Sequence, residues 1–382
     1  MKEQVQNKFK ELFNRDGKLI FSPGRVNLIG EHIDYNGGNV FPFSINLGIW
    51  GCYAKNNLKK IRVLSKDFCT EVYEFGVYEL YKIENHWANY IKGVLYVFNN
   101  KGYIVNEGFD LVISSTLPPK SGLSSSAAFE LLVENILCDL FHFNISKIEL
   151  ALLGKEVENS FIGVNSGIMD QFIVSVGKEN TACLLNTSSL EYKLIPFNLL
   201  NKQIVVINSN VSRTLDGSAY NKRVSECKEG LEYYKKYYKG INNLCELSIS
   251  QIEKYKEGLD NIIYKRVKHC VTEQARVLEM VKALSNNDYN TVDLLLHDSH
   301  ISLKNDYEVS CKELDVIVET ANNLGILGIR MTGAGFGGCT VGIIDASKVD
   351  LFVSTLSIEY KQKTGLTPSF YIVSSSNGTH IL

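Results

Sequence analysis

The first half of the chain alternates short runs of β-branched and aromatic residues with turns rich in Gly, Pro and Asn, and this alternation restricts the fold most. Such runs are typical of strands, and two predicted helices follow them, at about 124–136 and 146–159. Long charged helices dominate the second half, around 221–238, 266–285 and 313–323. We therefore predict an α+β fold of mixed sheets with helices packed on one side. The predicted strands are 19–21, 26–29, 40–45, 61–64, 109–115, 204–208, 340–344 and 370–374.

The length and the charge of the chain limit its organisation and its partners. A chain of 382 residues suggests two domains, and we predict a division near residue 195, into 1–195 and 196–382. A net charge of −2 gives no surface of one sign for nucleic acid or an anionic membrane. We therefore expect small-molecule partners, no nucleic acid, no membrane, and a monomer or weak oligomer.

The cysteines and the start of the chain indicate where the protein works. Nine cysteines occur singly, without a Cys-x-x-Cys pair, so a disulfide framework or a zinc site is not expected. The first residues are polar and lack the apolar stretch of a secretory signal. We expect reduced thiols and a cytoplasmic location.

A Gly- and Ser-rich segment, 117–128, lies between a predicted strand and the predicted helix that begins near Ser124. A turn of this kind presents unpaired N–H groups at a helix start, and the helix dipole favours an anion there. The serine hydroxyls could add hydrogen bonds or a metal ligand. The segment lacks the Gly-Lys-Ser/Thr end of a Walker A loop, so an ordinary helix cap stays open beside phosphate binding.

A second glycine-rich segment, 332–338, has four glycines in six positions and leads into the predicted strand 340–344. Such density indicates positive φ angles or a close approach of the backbone to a neighbour. Two interpretations stay open: a tight turn packed against another strand, or a loop that lines a nucleotide cavity.

Arg25, Glu31, His32 and Asp34 form a dense polar group on a glycine-rich loop after a predicted strand. Acceptors and donors set this closely can bind the vicinal hydroxyls of a sugar, and a solvated turn is the alternative. A metal site is less favoured, because Glu-His-x-Asp matches no familiar ligand spacing.

Two further acids are candidates for function. Asp170 is the one acid in the neutral stretch 160–176, where it is either a helix cap or a partly buried functional carboxylate. Glu158 shares a helix face with the small residues Ala151 and Gly154, whereas Glu156 lies about 200° away around the helix. We predict that Glu158 points inward.

Together these segments resemble the GHMP kinase superfamily, and within it the galactokinases. The segment 23–38, PGRVNLIGEHIDYNGG, is similar to the galactokinase signature almost in full. The segments 122–128, 163–172, 299–310 and 330–338 resemble further motifs of the family, in the family's order. The resemblance therefore spans most of the chain.

The resemblance implies a two-lobed fold, with an N-terminal lobe similar to ribosomal protein S5 domain 2 and a ferredoxin-like C-terminal lobe. It implies ATP-dependent phosphorylation of the C1 hydroxyl of galactose, with Mg²⁺ as cofactor. Asp170 matches the carboxylate that takes the proton of that hydroxyl, and Arg25 matches the arginine that keeps the carboxylate ionised and offsets transition-state charge. The other matched positions are Glu31, His32, Asp34 and Tyr220 for the sugar, Ser65, Lys120, Ser121, Gly122, Leu123, Ser124, Ser125 and Ser126 for ATP, and Ser126 and Glu158 for magnesium.

The chain departs from the family pattern at Lys120-Ser121, where Gly-Ala is usual. Two other functions remain alternatives. One is a kinase of another sugar, such as N-acetylgalactosamine, arabinose or a uronic acid, and the other is a galactose sensor without turnover. The intact Glu31-His32-x-Asp34 set favours galactose, and the presence of both Arg25 and Asp170 argues against loss of catalysis.

Overall fold

The structure is a computed structural model that describes residues 1–67, 69–119, 121–164, 166–211 and 218–382. Its helices are α1 (Lys2–Phe13), α2 (Asn89–Asn100), α3 (Ser125–Phe141), α4 (Lys147–Glu156), α5 (Met169–Val176), α6 (Ser218–Lys235), α7 (Ile249–Lys254), α8 (Asn261–Ser285), α9 (Tyr289–Asn305), α10 (Lys312–Asn323) and α11 (Ala346–Thr364). Its strands are β1 (Lys18–Asn27), β2 (Asn39–Val40), β3 (Pro42–Lys55), β4 (Lys60–Ser65), β5 (Tyr73–Gly76), β6 (Phe109–Ser115), β7 (Thr181–Asn186), β8 (Tyr192–Pro196), β9 (Lys202–Asn208), β10 (Ile329–Thr332), β11 (Cys339–Asp345), β12 (Ser369–Val373) and β13 (His380–Ile381).

The largest sheet has six strands in the order β13-β1-β3-β6-β4-β5, and β4 pairs with β6 in parallel. Helix α3 packs on one face, against β1 and β3. The N-terminal helix α1 packs on the other face, where its i, i+4 pair Val5 and Phe9 joins a cluster with Leu19 and Cys52. The prediction that helices cover one side was therefore wrong for this sheet.

A bulge in β1 brings the segment 23–38, which resembles the galactokinase signature, into contact with the Gly- and Ser-rich segment 117–128. The pairing of β1 with β3 shifts between Pro23 and Arg25. A Cβ at Gly24 would lie 2.7 Å from the carbonyl oxygen of Leu123, so only glycine permits this approach. The N–H of Arg25 then donates to that same oxygen at 3.2 Å. The bulge therefore fixes Arg25 beside the start of α3.

The second half of the chain forms a four-stranded antiparallel sheet in the order β10-β11-β9-β12. Helices α10 and α11 pack together and contact it, and their apolar side chains Ile317 and Phe352 share a buried cluster with Val205 and Ile207 of β9. A third sheet, β2-β7-β8, is antiparallel. The turn between β10 and β11 is the second glycine-rich segment.

The end of the chain returns to the first sheet. Strand β13 pairs with β1, where Ile381 lies opposite Ile20, and an isolated bridge joins Ser375 to Ile45. A division at residue 195 stays a prediction, and the last residues pack with the first half rather than the second.

The predicted strands and helices overlap observed elements, although 19–21 and 26–29 belong to one strand, β1, and 40–45 divides between β2 and β3. A further difference concerns the helix predicted at 146–159. Helix α4 ends at Glu156, and a π-helical turn, Val157–Ile162, follows it. The N–H of Gly163 donates to the carbonyl oxygen of Glu158, five residues earlier, at 2.7 Å. The prediction of a regular helix to residue 159 was therefore wrong. Within the described ranges, no helix is both long and apolar enough to cross a membrane.

Candidate active site

A cavity of 510 Å³ opens where four segments of the chain meet. They are the loop after β1, the segment that joins the π-helical turn to α5, the first turn of α6, and the glycine-rich loop after β10. The predicted site residues that line it are Arg25, Glu31, His32, Asp34, Glu158, Asp170 and Tyr220.

Arg25 and Asp170 form an ion pair with two hydrogen bonds. Nε of Arg25 donates to Oδ1 of Asp170 at 2.9 Å, and Nη2 donates to Oδ2 at 3.1 Å. Nη1 of Arg25 donates to the carbonyl oxygen of Gly122 at 2.5 Å, and the hydroxyl of Ser124 donates to Oδ2 of Asp170. These bonds fix the orientation of the carboxylate. The side chain of Asp170 is still 30% exposed, so it can contact a molecule in the cavity.

Glu31 is buried, yet its charge is compensated by the chain itself. Oε1 accepts from Nη2 of Arg330 at 3.1 Å and from the N–H of Gly333 at 2.7 Å, while Oε2 accepts from Nδ2 of Asn27 at 3.0 Å. Burial alone would raise the pKa of Glu31, but Arg330, Arg25 and these donors hold it below its usual value. Glu31 is therefore ionised at neutral pH.

His32 is held as a neutral ring between two partners. Nε2 lies 3.2 Å from the carbonyl oxygen of Ala334, which can only accept, so Nε2 carries the proton. Nδ1 then accepts from the hydroxyl of Tyr35 at 2.7 Å, and that hydroxyl is 2.8 Å from the hydroxyl of Tyr307. Burial lowers the pKa of His32 to about 4, which keeps the ring uncharged.

Asp34 faces other acids across the cavity. Burial, then the charges of Asp170 and Glu31, raise its pKa to about 7, against hydrogen bonds from the backbone of Tyr35 and of Asp34 itself. A Cβ at Gly167 would lie 1.7 Å from Oδ2 of Asp34, so the glycine before α5 permits this approach. The Asp34 carboxyl therefore titrates near neutral pH.

Tyr220, in the first turn of α6, closes one side of the cavity. Its ring centroid lies 5.6 Å from that of His32 and 5.4 Å from that of Tyr35. The asparagine that follows it, Asn221, also lines the cavity and was not predicted. The start of α6 therefore packs directly on the polar loop after β1.

Ser126 and Glu158 meet at the other side of the cavity. The hydroxyl of Ser126, in the first turn of α3, donates to Oε1 of Glu158 at 2.8 Å. Glu158 is buried, as predicted, whereas Glu156 points outward to an ion pair with Lys101 at 2.8 Å. Burial raises the pKa of Glu158, and the hydrogen bond from Ser126 opposes this only in part.

Of the other residues matched to ATP, Ser65, Ser121, Leu123 and Ser125 are not among the residues that line this cavity. The hydroxyl of Ser121 is buried and donates to the carbonyl oxygen of Pro118 at 2.8 Å, and the side chain of Leu123 is buried as well. Ser125 is exposed at the first position of α3. Ser65 is buried at the end of β4, and Lys120 lies outside the described residues. Ser121 and Leu123 could therefore offer a nucleotide only backbone groups.

Three family models match the chain. The galactokinase galactose-binding signature matches residues 7–55, the GHMP kinase N-terminal domain matches 89–178, and the GHMP kinase C-terminal domain matches 280–362. Galactokinase of Clostridium perfringens (strain 13 / Type A) is 47% identical over 381 residues, covering 97% of this chain and 98% of its own. The chain belongs to the galactokinase family. Galactokinase of Ligilactobacillus salivarius is 42% identical and covers 100% of both chains.

Solved structures agree with this membership of the galactokinase family. The crystal structure of Lactococcus lactis galactokinase complexed with galactose superposes with a TM-score of 0.96 at 40% identity, covering 100% of this chain and 99% of that one. A mevalonate kinase superposes with a TM-score of 0.68 at 18% identity, which shows a shared fold alone. The GHMP kinase fold predicted from the sequence is therefore confirmed.

The residues that hold the cavity side chains in place were not predicted from the sequence of this galactokinase-family chain. Arg330 bonds Glu31 across 299 positions of the chain, and Tyr307 bonds Tyr35 across 272 positions. Tyr35, which donates to His32, lies only three positions from it. The one signal was their position within motif segments, which carried no information on contacts. The second glycine-rich segment lines the cavity beside these residues, through Gly333 and Ala334.

Proposed function

We propose that the protein transfers the γ-phosphoryl group of ATP to the C1 hydroxyl of galactose, giving galactose 1-phosphate and ADP. The Arg25–Asp170 pair carries this proposal, because it presents a fixed carboxylate to a cavity lined with further sugar-binding groups. Membership of the galactokinase family favours galactose over related sugars. The cytoplasm as the place of action, and a monomer or weak oligomer, belong to the same proposal.

Asp170 is the proposed general base. Its carboxylate takes the proton of the C1 hydroxyl while the C1 oxygen forms a bond to the γ-phosphorus. The bond between that phosphorus and the β–γ bridging oxygen breaks, and the electron pair leaves with ADP. Arg25 offsets negative charge in the transition state, and Ser124 keeps Oδ2 of Asp170 in place.

Four residues are proposed to bind galactose. Glu31 has one protein donor at Oε2 and so retains acceptor capacity for a sugar hydroxyl. Asp34 adds a second acceptor, His32 lies beside it on the same loop, and the ring of Tyr220 closes the side of the cavity. Acceptors at fixed positions suit a ligand that carries several hydroxyl donors.

Ser126 and Glu158 are proposed to hold Mg²⁺ beside the phosphates of ATP. Their oxygens are hard ligands, and their 2.8 Å separation suits neighbouring ligands of an octahedral ion, which lie about 2.9 Å apart. The raised pKa of Glu158 is that of a buried carboxylate that forms no ion pair among the described residues. When bound, the ion neutralises charge on the transferring phosphoryl group.

The remaining phosphate contacts are proposed at the start of α3. Gly122 has a φ of 78° and Ser124 one of 61°, so the backbone turns sharply before the helix begins at Ser125. N–H groups at such a turn, with the helix dipole, favour phosphate oxygens. Lys120 and Ser65 stay proposed contacts of ATP.

A panel of free sugars tests the proposed function. ATP turnover is measured with galactose, N-acetylgalactosamine, arabinose, galacturonate and glucose at equal concentrations, and the phosphorylated carbon is located by ³¹P–¹H NMR. We expect galactose to give the highest kcat/KM and a product phosphorylated at C1. A preference for another sugar would replace galactose as substrate, and binding of galactose without turnover would favour a sensor.

A further inference from the structure

The carboxylate of Glu31 has a third donor at Oε1 that no role described so far includes. The hydroxyl of Thr332, the last residue of β10, donates to Oε1 at 3.0 Å and lies 3.2 Å from the carbonyl oxygen of Asn27. Thr332 is fully buried. Because the ionised carboxylate is the stronger acceptor, the single hydroxyl proton is directed mainly to Glu31.

We propose that Thr332 is a positioning residue for galactose, acting through Glu31. With three donors at Oε1, from Arg330, Thr332 and Gly333, the carboxylate cannot rotate about its last bond without losing them. Oε2, which has Asn27 as its protein donor, is thereby held in a fixed position on a residue that lines the cavity. This inference rests on the proposed role of Glu31 in sugar binding.

The position of Thr332 in the fold explains why this residue can act in this way. Thr332 pairs with Cys339 across β10 and β11, so it is the last residue fixed by the sheet before the glycine-rich loop. The loop that follows supplies the N–H of Gly333 to Glu31 and the carbonyl oxygen of Ala334 to His32. The four-stranded sheet of the second half therefore positions Glu31 and His32, two side chains of the loop after β1 in the first half.

Thr332 is a sharper test position than Arg330. The guanidinium of Arg330 is fully buried and also bonds the carbonyl oxygens of Leu28, Asn27 and Met331, so its loss would disturb the fold. Thr332→Val removes the hydroxyl and keeps the shape of the side chain. It breaks the contact with Glu31 while leaving the Arg330–Glu31 pair in place.

The experiment compares Thr332→Val with Thr340→Val. Thr340 is fully buried on the adjacent strand, opposite Met331, and its hydroxyl has no hydrogen-bond partner among the described residues. We expect Thr332→Val to raise the KM and the Kd for galactose about 5- to 20-fold, because a bond to a charged acceptor is lost. The kcat and the KM for ATP should stay within about twofold, as should all constants of Thr340→Val. Thr332→Ser, which keeps the hydroxyl, should restore most of the galactose affinity.

Two results would overturn the inference, and a third would overturn the proposed role of Glu31 on which it rests. Equal galactose affinities for Thr332→Val and Thr340→Val would show that the hydroxyl does not position Glu31. A parallel loss of kcat and of both KM values in Thr332→Val would show a structural role alone. Glu31→Gln serves as the reference: if it leaves galactose affinity unchanged, the proposed role of Glu31 fails, whatever Thr332 does.

Discussion

Glu31 and Glu158 line the same cavity, yet their surroundings shift their pKa values in opposite directions. Burial alone would raise the pKa of Glu31. The pKa is nevertheless lowered, because Arg330 and Arg25 compensate the negative charge and Asn27 and Gly333 donate hydrogen bonds. Burial raises the pKa of Glu158, and the charge of Asp170 adds to this. Within the described ranges, Glu31 therefore has a counter-charge in the fold, whereas Glu158 has none.

The residues that surround the two carboxylates differ in the same way. Arg330 joins Glu31 to β10, the edge strand of the second sheet, and also donates to the carbonyl oxygens of Leu28 and Asn27. Glu130, near Glu158, is another buried acid whose pKa is raised, by burial and then by the charge of Glu158, and its Oε1 has no partner among the described residues. Glu31, on the proposed sugar side, is therefore compensated by the chain, whereas no described residue forms an ion pair with Glu158, so a bound cation would compensate the proposed metal side.

Asp170, between the two sides, should give the largest effect. Asp170→Asn keeps the size of the side chain and removes the proposed base, so kcat should fall about 10²–10⁴-fold. Circular dichroism and the Kd for ATP, measured by calorimetry, should change little. Near-full kcat with galactose would show that Asp170 is not the base and that the pair with Arg25 is structural.

The stability of the unliganded protein tests the contrast directly. Glu31→Ala leaves the buried guanidinium of Arg330 without its carboxylate, and we expect a loss of about 3–5 kcal/mol in the free energy of unfolding. Glu158→Ala removes a buried carboxylate that forms no ion pair among the described residues, so the loss should be below about 1 kcal/mol. Urea unfolding without ligands or metal measures both. Equal losses would remove the distinction between the two sides.

A magnesium titration tests the metal side. Because substitution of even outer-shell residues costs about 10–100-fold in metal affinity, Glu158→Gln should raise the magnesium requirement at least about tenfold. Glu156→Gln is the matched control, since its partner is the exposed Lys101. Initial rates are measured against magnesium concentration, with galactose affinity recorded in parallel. A larger defect in Glu156→Gln would remove the metal assignment.

The sequence predicted the site residues better than the residues that hold them in place. The reason is how far apart the interacting residues lie along the chain. Arg25, Glu31, His32 and Asp34 fall within ten positions of the chain, so their chemistry is visible without a fold. The contact of Thr332 with Glu31 joins residues that are 301 positions apart, and no local pattern encodes it. The roles of the site residues themselves stay predictions until they are measured.

The fold differs from prediction where long-range packing overrides local pattern. The regular helix expected to residue 159 changes to a π-helical turn at Val157, which a periodicity of 3.6 residues cannot reveal. Glu158 still points inward, so the predicted orientation was right although the predicted helix geometry was not. Strand β13 and helix α1 complete the first sheet from the two ends of the chain, and neither was predicted.

The smallest expected effect concerns Asp34, which belongs to the sugar side but lacks the compensation of Glu31. Its pKa is raised to about 7, chiefly by burial, so the folded chain binds more protons than the unfolded chain between about pH 4 and pH 7. The contribution of Asp34 to stability therefore falls as the pH rises through that window. Its ionised fraction rises from about 10% at pH 6 to about 90% at pH 8.

If Asp34 accepts a sugar hydroxyl as a carboxylate, galactose affinity should rise about tenfold from pH 6 to pH 8. Binding at pH 7 should also release about half a proton, because galactose selects the ionised form. Calorimetry of galactose binding, without ATP or magnesium and in buffers of different ionisation enthalpy, measures both quantities. His32 stays neutral across this range, since its pKa is about 4, and Asp34→Asn should abolish the pH dependence. A flat profile without proton release would contradict selection of the ionised form, because Asp34 would then be ionised already at pH 6 or would bind galactose equally well when protonated.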